Sequence, residues 1–435
     1  MPLLIPIFLT IKSLSQPLQP WVKRAMVPSW VWSVKPADFL EWSIRKLKNM
    51  KIESRNTAGI LSLMVVAALL VSSQMGVAAE TPEVQRTTAS SKAFVPGEVW
   101  RDTAGNPINA HGGGMLFHQG VYYWYGELKL GRTYLAKVNK TWGGTRVVAG
   151  GVSCYSSTNL YDWKNEGAVL PSVADDPDHD LACENVIERP KVIYNARTKK
   201  FVMWLHQDSP DYKAARAGVA VSDSPTGPFQ YFGSFRPNVG VWPLNVTEAD
   251  KQTSHTNFLA RDFAGGQMSR DMTLFVDDDG QAYQFCASEE NSTMHVSRLT
   301  DDYLKPSGKY ARIFVGRSME APAVFKHDGK YFIIASDCTG WDPNTARSAV
   351  ATNIFGPWTE LGNPCRGQDA DNTFFCQSTY VLPLTGQPGG FIAMFDRWKK
   401  WDLQDSRYVW LPLEFAVDGK PTVNWQARWS LNRGD

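Results

Sequence analysis

The sequence lacks a surplus of either charge. Its 435 residues include 45 Lys and Arg against 43 Asp and Glu, which leaves a formal net charge of +2. Such a chain has no strong field with which to attract nucleic-acid phosphates or anionic lipids. We therefore expect no nucleic-acid partner and a ligand that is neutral or of mixed charge.

The cysteines lack the spacing of a metal site. There are six, all after residue 153, and none forms a CxxC pair or a Cys/His cluster with zinc spacing. Cys365 and Cys376 are the closest in sequence and could pair in an oxidising compartment, yet buried free thiols fit equally well. Six cysteines allow fifteen connectivities, so the sequence does not choose among them.

The chain also lacks an apolar run long enough to cross a membrane. Its most apolar run, Ala58 to Val71, has 14 residues, whereas a bilayer requires about 20. The run follows a basic start at Met50 and precedes the small residues at 77–79, which is the layout of a cleaved secretory signal peptide. The alternative is a genuine extension with an internal anchor. The predicted segments are a non-structural extension at 1–49 with Met50 as a candidate true start, a signal peptide at 50–79, and one exported domain at 80–435, secreted or periplasmic without stable membrane insertion.

The exported part contains a repeated all-β pattern. Short alternating or aromatic-rich runs are broken by Gly, Asp, Asn and Pro, and almost none has helical spacing. Five similar units of about four strands each predict a five-bladed β-propeller, because such units bury their faces only by stacking around an axis. A pair of β-sandwiches is the alternative. The units contain GGGMLFHQGVYYWYGE, ERPKVIYNARTKKFVMWLHQD, SRDMTLFVDDDGQAYQFCAS, MEAPAVFKHDGKYFIIASD and TFFCQSTYVLPL.

Polar residues occupy matching positions near the start of four units. They are Glu188, Asp271, Glu320 and Gln377, each before or inside an otherwise apolar strand. Inner strands of a propeller face its axis, so these side chains should converge on one central pocket. Isolated buried carboxylates are costly unless they are paired or functional. The alternative is that they only bridge neighbouring blades or hold a structural ion.

This set of residues predicts acid/base chemistry. Two or three carboxylates around one pocket, without a GxSxG nucleophile or a metal cluster, suit hydrolysis of a glycosidic bond. The abundant aromatic residues, 12% of the chain, suit sugar platforms as well as a large core.

At these residues the sequence resembles glycoside hydrolase family 43, and most closely its exo-β-1,3-galactanase group (subfamily 24). The resemblance extends from about Glu98 to about Asn424 and is carried by NAHGGGMLFHQGVYYWYGE, CENVIERPKVIYN, SRDMTLFVDDDG, MEAPAVFKHDGKYFIIASDCTGWDPN and CQSTYVLPL. It implies a five-bladed propeller hydrolase that releases galactose from the non-reducing end of β-1,3-galactan or type II arabinogalactan. Another family 43 specificity, α-L-arabinofuranosidase or β-xylosidase, and a non-catalytic carbohydrate-binding propeller are the alternatives.

The resemblance also implies roles for the four pocket residues in an inverting mechanism. Glu320 is expected to be the general acid and Asp271 the carboxylate that tunes and orients it. The usual first-blade Asp base is missing from GGGMLFHQG, and Gln377 is expected to position the water, with base action through its imidic-acid tautomer as one reading. Glu188 is expected to bind sugar hydroxyls or to take part of the base role.

Further expectations concern the sugar-binding wall and the assembly. The resemblance places Glu127, Tyr212, Thr339, Trp341 and Asn344 around the substrate, with Trp341 as the stacking platform. No cofactor is expected to be required, a structural calcium ion is left open, and the enzyme is expected to be a monomer.

Overall fold

The computed structural model describes residues 92–135, 144–387 and 389–431. The extension and signal peptide predicted for residues 1–79 lie outside the described residues. No helix of the described part is long and apolar enough to cross a membrane.

The strands form five sheets. The first contains β1 (His111–His118), β2 (Val121–Leu135), β3 (Thr145–Ser157) and β4 (Lys164–Pro171). The second contains β5 (Val186–Asn195), β6 (Lys200–Asp208), β7 (Arg216–Ser222) and β8 (Gln230–Phe235). The third contains β9 (Met272–Val276), β10 (Ala282–Ser288), β11 (Thr293–Leu299) and β12 (Pro306–Ile313). The fourth contains β13 (Met319–His327), β14 (Lys330–Asp337), β15 (Arg347–Ala351) and β16 (Thr359–Gly362), and the fifth contains β17 (Cys365–Arg366), β18 (Gln377–Pro383), β19 (Phe391–Arg397), β20 (Arg407–Phe415) and β21 (Pro421–Asn424).

The sheets are the blades of a propeller. Neighbouring strands within each blade pair antiparallel, except that the short strand β17 pairs parallel with β21. The inner strands β1, β5, β9, β13 and β18 each contact the next one around a closed ring. Helical structure in the described residues is limited to α1 (Phe258–Arg261) and two short 3-10 segments, Ala370–Phe375 and Leu403–Asp405. The predicted five-bladed propeller is confirmed.

The seam between the first and fifth blades holds much of the aromatic content. Trp124, Trp163 and Trp410 are almost completely buried and pack edge to face or tilted, with ring centroids 4.7–6.0 Å apart. The first and last described segments meet here, because the backbone of Phe94 pairs with that of Trp429. All six cysteines are unpaired, and four of them are buried, which agrees with free thiols rather than with a disulfide between Cys365 and Cys376.

The inner strands break their pairing at matching places. In β1, β5 and β13 the register shifts directly after His111, Glu188 and Glu320. A bulge of this kind re-aims the side chain beside it and is common next to active sites. The residue after each has a left-handed backbone, with φ of +58° at Gly112, +55° at Arg189 and +54° at Ala321. The fold therefore repeats one local geometry at the end of the strand where the pocket lies.

Candidate active site

One large pocket opens at this end of the ring, with a volume of about 740 Å³. All four residues predicted to be catalytic line it, although they come from four different blades. Four of the five predicted sugar-binding residues line it too. The predicted residues lining the pocket are Glu188, Asp271, Glu320, Gln377, Glu127, Tyr212, Thr339 and Trp341, and the unpredicted ones include Arg189, His206, Arg270, Cys338 and Trp398.

Glu320 has the protonation behaviour that an acid needs. Its side chain is buried at the bulge of β13, and burial together with the nearby charge of Asp271 raises its pKa to about 8. A carboxyl group with such a pKa remains protonated at neutral pH and can donate its proton to a leaving group.

Asp271 connects the acid to a buried cation. Its Oδ2 accepts a hydrogen bond from the backbone N–H of Ala321, at 3.1 Å, and forms an ion pair with Nη2 of Arg189, at 2.8 Å. Asp271 is thus fixed next to the bulge that carries Glu320, which fits its predicted role in tuning and orienting the acid.

The Gln377 amide has all of its hydrogen-bonding capacity engaged. Its Nε2 donates to Oε1 of Glu320 and to Oγ of Ser336, both at 3.0 Å. Its Oε1 accepts from Nη2 of Arg189, at 2.5 Å, and from Nε1 of Trp398, at 2.9 Å. Since Nε2 binds Oε1 of Glu320, the other oxygen of that carboxyl group is left to carry the proton.

This arrangement favours the ordinary amide over the imidic-acid tautomer. The tautomer would place a hydroxyl group where Oε1 now lies, and a hydroxyl hydrogen needs an acceptor. Both neighbours of Oε1, the Arg189 guanidinium and the Trp398 indole, are donors with no acceptor capacity. In this geometry Gln377 contacts the acid as an ordinary amide, and its predicted positioning of the water, with base action through the tautomer, stays a prediction.

Glu188 has the opposite ionisation. Its Oε1 accepts a hydrogen bond from the Tyr212 hydroxyl group at 2.9 Å, and its Oε2 lies 3.5 Å from Nδ1 of His206. Burial alone would raise its pKa, but His206 and the nearby cations Lys129 and Arg146 lower it to about 2. Glu188 is therefore a carboxylate across the working range of pH.

The DCTGWDPN loop supplies one wall. Trp341 contacts Trp398 edge to face, with centroids 5.0 Å apart, and its Nε1 donates to the Thr145 carbonyl group at 2.9 Å. Thr339 lies at the pocket surface. Asn344 is not among the lining residues, because its Nδ2 binds the Asp337 carbonyl group at 2.9 Å and the Thr339 hydroxyl group at 2.7 Å. It shapes the loop, and its contact with substrate stays a prediction.

The pocket side chains that could serve as metal ligands already have partners. Within the described ranges one group of suitable side chains lies close together, with ligand atoms of Glu188, His206 and Asp271 within 4.8 Å of one another. Burial lowers the pKa of His206, but Asp208 and Glu188 outweigh it and raise the pKa to about 9, so in the ion-free site the ring is protonated at neutral pH. Asp271 is already paired with Arg189.

Comparison with known proteins agrees with this geometry. The sequence model of glycosyl hydrolases family 43 matches residues 128–374. The chain belongs to glycoside hydrolase family 43. No curated protein matches it.

Solved structures of family 43 enzymes are similar over 78% of the chain. A β-1,3-galactosidase solved with galactodeoxynojirimycin is 48% identical, is covered completely, and gives a TM-score of 0.71. An exo-β-1,3-galactanase from Phanerochaete chrysosporium, solved as a variant with β-1,3-galactotriose, is 34% identical over 68% of its length, with a TM-score of 0.64. An exo-β-1,3-galactanase from Clostridium thermocellum is 38% identical over 66% of its length, with a TM-score of 0.63.

At the bulge of β1 this family 43 hydrolase has a histidine where the usual first-blade Asp was expected. The matching residue, His111, is fully buried and stacks on Tyr408, with centroids 5.2 Å apart. A Cβ atom at Gly112 would lie 1.9 Å from Oε1 of Glu127, so the Glu127 carboxylate fills the space next to that strand. The first blade therefore contributes its carboxylate from β2, where Lys129 binds Oε2 at 2.7 Å and the backbone N–H of Arg189 donates to Oε1 at 3.1 Å.

Proposed function

We propose that this family 43 hydrolase is an inverting exo-β-1,3-galactanase that releases galactose from the non-reducing end of β-1,3-galactan. The observation that carries the proposal is one pocket containing a carboxyl group that stays protonated, Glu320, and another that stays ionised, Glu188. Opposite protonation states in one site are what acid/base cleavage of a glycosidic bond requires. The similar β-1,3-galactosidase and exo-β-1,3-galactanases support the choice of sugar and linkage.

In the proposed reaction the Glu320 carboxyl group donates its proton to the glycosidic oxygen as the C–O bond breaks. A water molecule attacks the anomeric carbon from the opposite face and transfers a proton to Glu188, the pocket carboxylate that stays ionised. Gln377 keeps the acid oriented through its 3.0 Å hydrogen bond, and Asp271 raises its pKa. The free galactose then has the opposite anomeric configuration.

Location and partners extend the proposal. A signal peptide at 50–79 would place the enzyme outside the cytoplasm, where type II arabinogalactan is accessible as its polysaccharide partner. A monomeric state and a structural calcium ion stay predictions.

The test is incubation of the protein with linear β-1,3-galactan, with chromatography of the products over time. Steady release of galactose is expected, and Glu320→Gln should lower the rate by about 10³-fold or more because the leaving group is no longer protonated. Glu248→Gln is a matched control, since Glu248 is exposed and pairs with Lys251 on the surface. Proton NMR of the first product distinguishes inversion from retention.

An unimpaired Glu320→Gln enzyme would contradict the acid assignment. Cleavage of nitrophenyl arabinoside or xyloside, with no action on galactan, would transfer the function to another family 43 specificity. Binding of galactan without any product would favour the non-catalytic alternative.

A further inference from the structure

Behind Glu188 lies a second carboxylate that the sequence analysis did not single out. Asp208 ends β6 two residues after His206, and both side chains are inaccessible to solvent. Asp208 Oδ2 lies 3.0 Å from Nε2 of His206, while Nδ1 of the same ring faces Oε2 of Glu188 at 3.5 Å. One imidazole ring therefore connects the pocket carboxylate with a buried carboxylate.

Asp208, the end of this hydrogen-bond series that is farther from the pocket, is fixed by backbone groups. Oδ1 of Asp208 accepts hydrogen bonds from the backbone N–H groups of Ser209, at 2.9 Å, and Ala215, at 2.8 Å. The position of Asp208 thus depends on the backbone of the loop after β6, which also carries Tyr212. Since Tyr212 donates to the other oxygen of Glu188, one loop fixes both oxygens.

Nδ1 of His206, the ring atom that faces the pocket, has no hydrogen-bond partner that competes with Glu188 among the described residues. Within the described part of the chain, Nδ1 of His206 makes no hydrogen bond, so Glu188 is the group that its N–H faces. A distance of 3.5 Å is long for a hydrogen bond, and such contacts in ligand-free sites commonly tighten when substrate binds. A buried N–H with no other acceptor keeps the ring directed at Glu188.

The charges around Glu188 come from several elements. The cations facing it are Lys129 on β2, Arg146 on β3 and Arg189 on β5. The anions are Glu127 on β2 and Asp271 before β9, and Tyr212 contributes its hydroxyl group. Among the cations, His206 has the largest influence in lowering the pKa of Glu188, because it is next to the carboxylate.

We propose that His206 and Asp208 are positioning residues of this active site: Asp208 orients the charged His206 ring, and the ring holds the Glu188 carboxylate in its place in the pocket. The proposal rests on the proposed function only in using galactan hydrolysis as one of two readouts.

The third blade offers a matched control. His295 is also completely buried and its Nε2 lies 2.9 Å from Oε1 of Glu289, which Arg312 binds as well. Neither His295 nor Glu289 lines the pocket. Together with Arg312, this pair attaches the connection between β8 and β9 to the third blade, because Arg312 also binds Asp250 of that connection at 2.7 Å.

The first readout needs no substrate. NMR titration of the histidine ring protons should find one of the 7 histidines charged up to a pH of about 9, with a signal that is absent from His206→Gln. Asp208→Asn should lower that pKa by about one unit or more, because the ring loses the charge behind it. An unchanged His206 titration in Asp208→Asn would overturn the proposal whether or not the protein cleaves galactan.

The second readout is the pH dependence of kcat/KM on β-1,3-galactan. Loss of the positive ring in His206→Gln lets burial raise the pKa of Glu188. The pH below which activity is lost should therefore be higher than in the parent. We expect the acid limb to rise by about one pH unit or more, a relative loss of about tenfold at a given low pH. Asp208→Asn should shift the limb in the same direction, and His295→Gln should leave it in place even if it lowers the melting temperature.

A His206→Gln enzyme that is weaker but has the acid limb of the parent would show a merely structural role and overturn the proposal. If His206→Gln does not fold, Asp208→Asn, which changes only one atom of the side chain, decides by the same two readouts. A parent protein that releases no galactose would refute the proposed function, while the titration would still decide the positioning role.

Discussion

The second and fourth blades carry the same local structure and opposite chemistry. Glu188 and Glu320 both precede a bulge in the inner strand, and both are followed by a residue with a left-handed backbone. Across the strand pair, however, Glu188 faces His206 and Glu320 faces Ser336. The charged ring lowers the pKa of Glu188 to about 2, whereas burial and a neighbouring carboxylate raise that of Glu320 to about 8.

The propeller repeat thus delivers carboxyl groups to one pocket, and the burial and the charges around each group determine what it can do. Glu188 becomes a permanent anion because cations surround it, above all His206, whereas Glu320 becomes a proton donor because it is buried beside the anion Asp271. Environments that separate two pKa values in one site are what distinguish its acid from its anionic residue.

The largest effect should come from Arg189, the cation that serves both blades. It is buried, binds Asp271 and Gln377, and interacts with Glu127, Glu188 and Glu320. Removal of a partner from a buried ion pair typically costs about 3–5 kcal/mol, so Arg189→Met should lower the free energy of unfolding by that amount. Galactan hydrolysis should also become undetectable. Urea denaturation and product chromatography measure the two effects.

Arg189→Lys is the matched variant, since it keeps the charge but cannot bind Asp271 and Gln377 together as a guanidinium does. Relative to Arg189→Met, Arg189→Lys should regain more of the free energy of unfolding than of the rate of galactan hydrolysis. Equal stability of Arg189→Met and the parent would contradict the view that one cation supports both blades.

The second effect in size concerns Gln377. In Gln377→Glu, a carboxylate can still accept hydrogen bonds from Arg189 and Trp398, but an oxygen replaces the N–H group that faces Oε1 of Glu320. We expect a loss of about 10²-fold in kcat because the acid loses its orientation and shares its proton with a new neighbour. Steady-state kinetics on galactan, with Gln377→Ala for comparison, provides the measurement. A Gln377→Glu enzyme as active as the parent would instead support a base at this position.

Much of the fold was predictable because the repeat is visible in the sequence. Each unit has apolar strands separated by turn residues, and the polar residue that opens the inner strand stands out against its apolar neighbours. The same contrast identified Glu188, Asp271, Glu320 and Gln377 as one pocket set.

The supporting residues were not predictable in this way. Arg189 lies directly beside Glu188 in the ERPKV motif, and its direction depends on a bulge that no pattern of hydrophobicity reveals. His206 lies on the second strand of its blade, and only the register with β5 places it opposite Glu188. The His-Gln-Asp sequence at the end of β6 is the sequence feature from which His206 could have been predicted. Glu127, the carboxylate of the first blade, comes from β2, and the family resemblance predicted it whereas an alignment of inner strands does not find it.

The third effect is a shift in pH dependence that is caused by the pKa of Glu320, the acid of the fourth blade. Glu320 must be protonated, and since its folded-state pKa is raised to about 8, activity should fall as the pH rises through that value. In Asp271→Asn the neighbouring charge is lost and the pKa of Glu320 decreases, so the upper limb of kcat should move down by about one pH unit. Asp342→Asn, an exposed change on the pocket-side loop, should leave the limb unchanged. An Asp271→Asn limb at or above that of the parent would refute this cause.

The smallest effect should come from Ser336, the fourth-blade counterpart of His206. Ser336→Ala removes one acceptor of the Gln377 amide, while the hydrogen bonds to Glu320, Arg189 and Trp398 remain. One neutral hydrogen bond contributes about 1 kcal/mol, so kcat should decrease about fivefold with both pH limbs in place. His206→Gln, by contrast, should move the acid limb, because it removes a charge rather than a neutral contact. Measurement of the pH profiles of Ser336→Ala and His206→Gln side by side tests the comparison directly. A shifted limb in Ser336→Ala would mean that the hydroxyl group also controls the ionisation of the carboxyl group. The second and fourth blades would then differ less than His206 and Ser336 suggest.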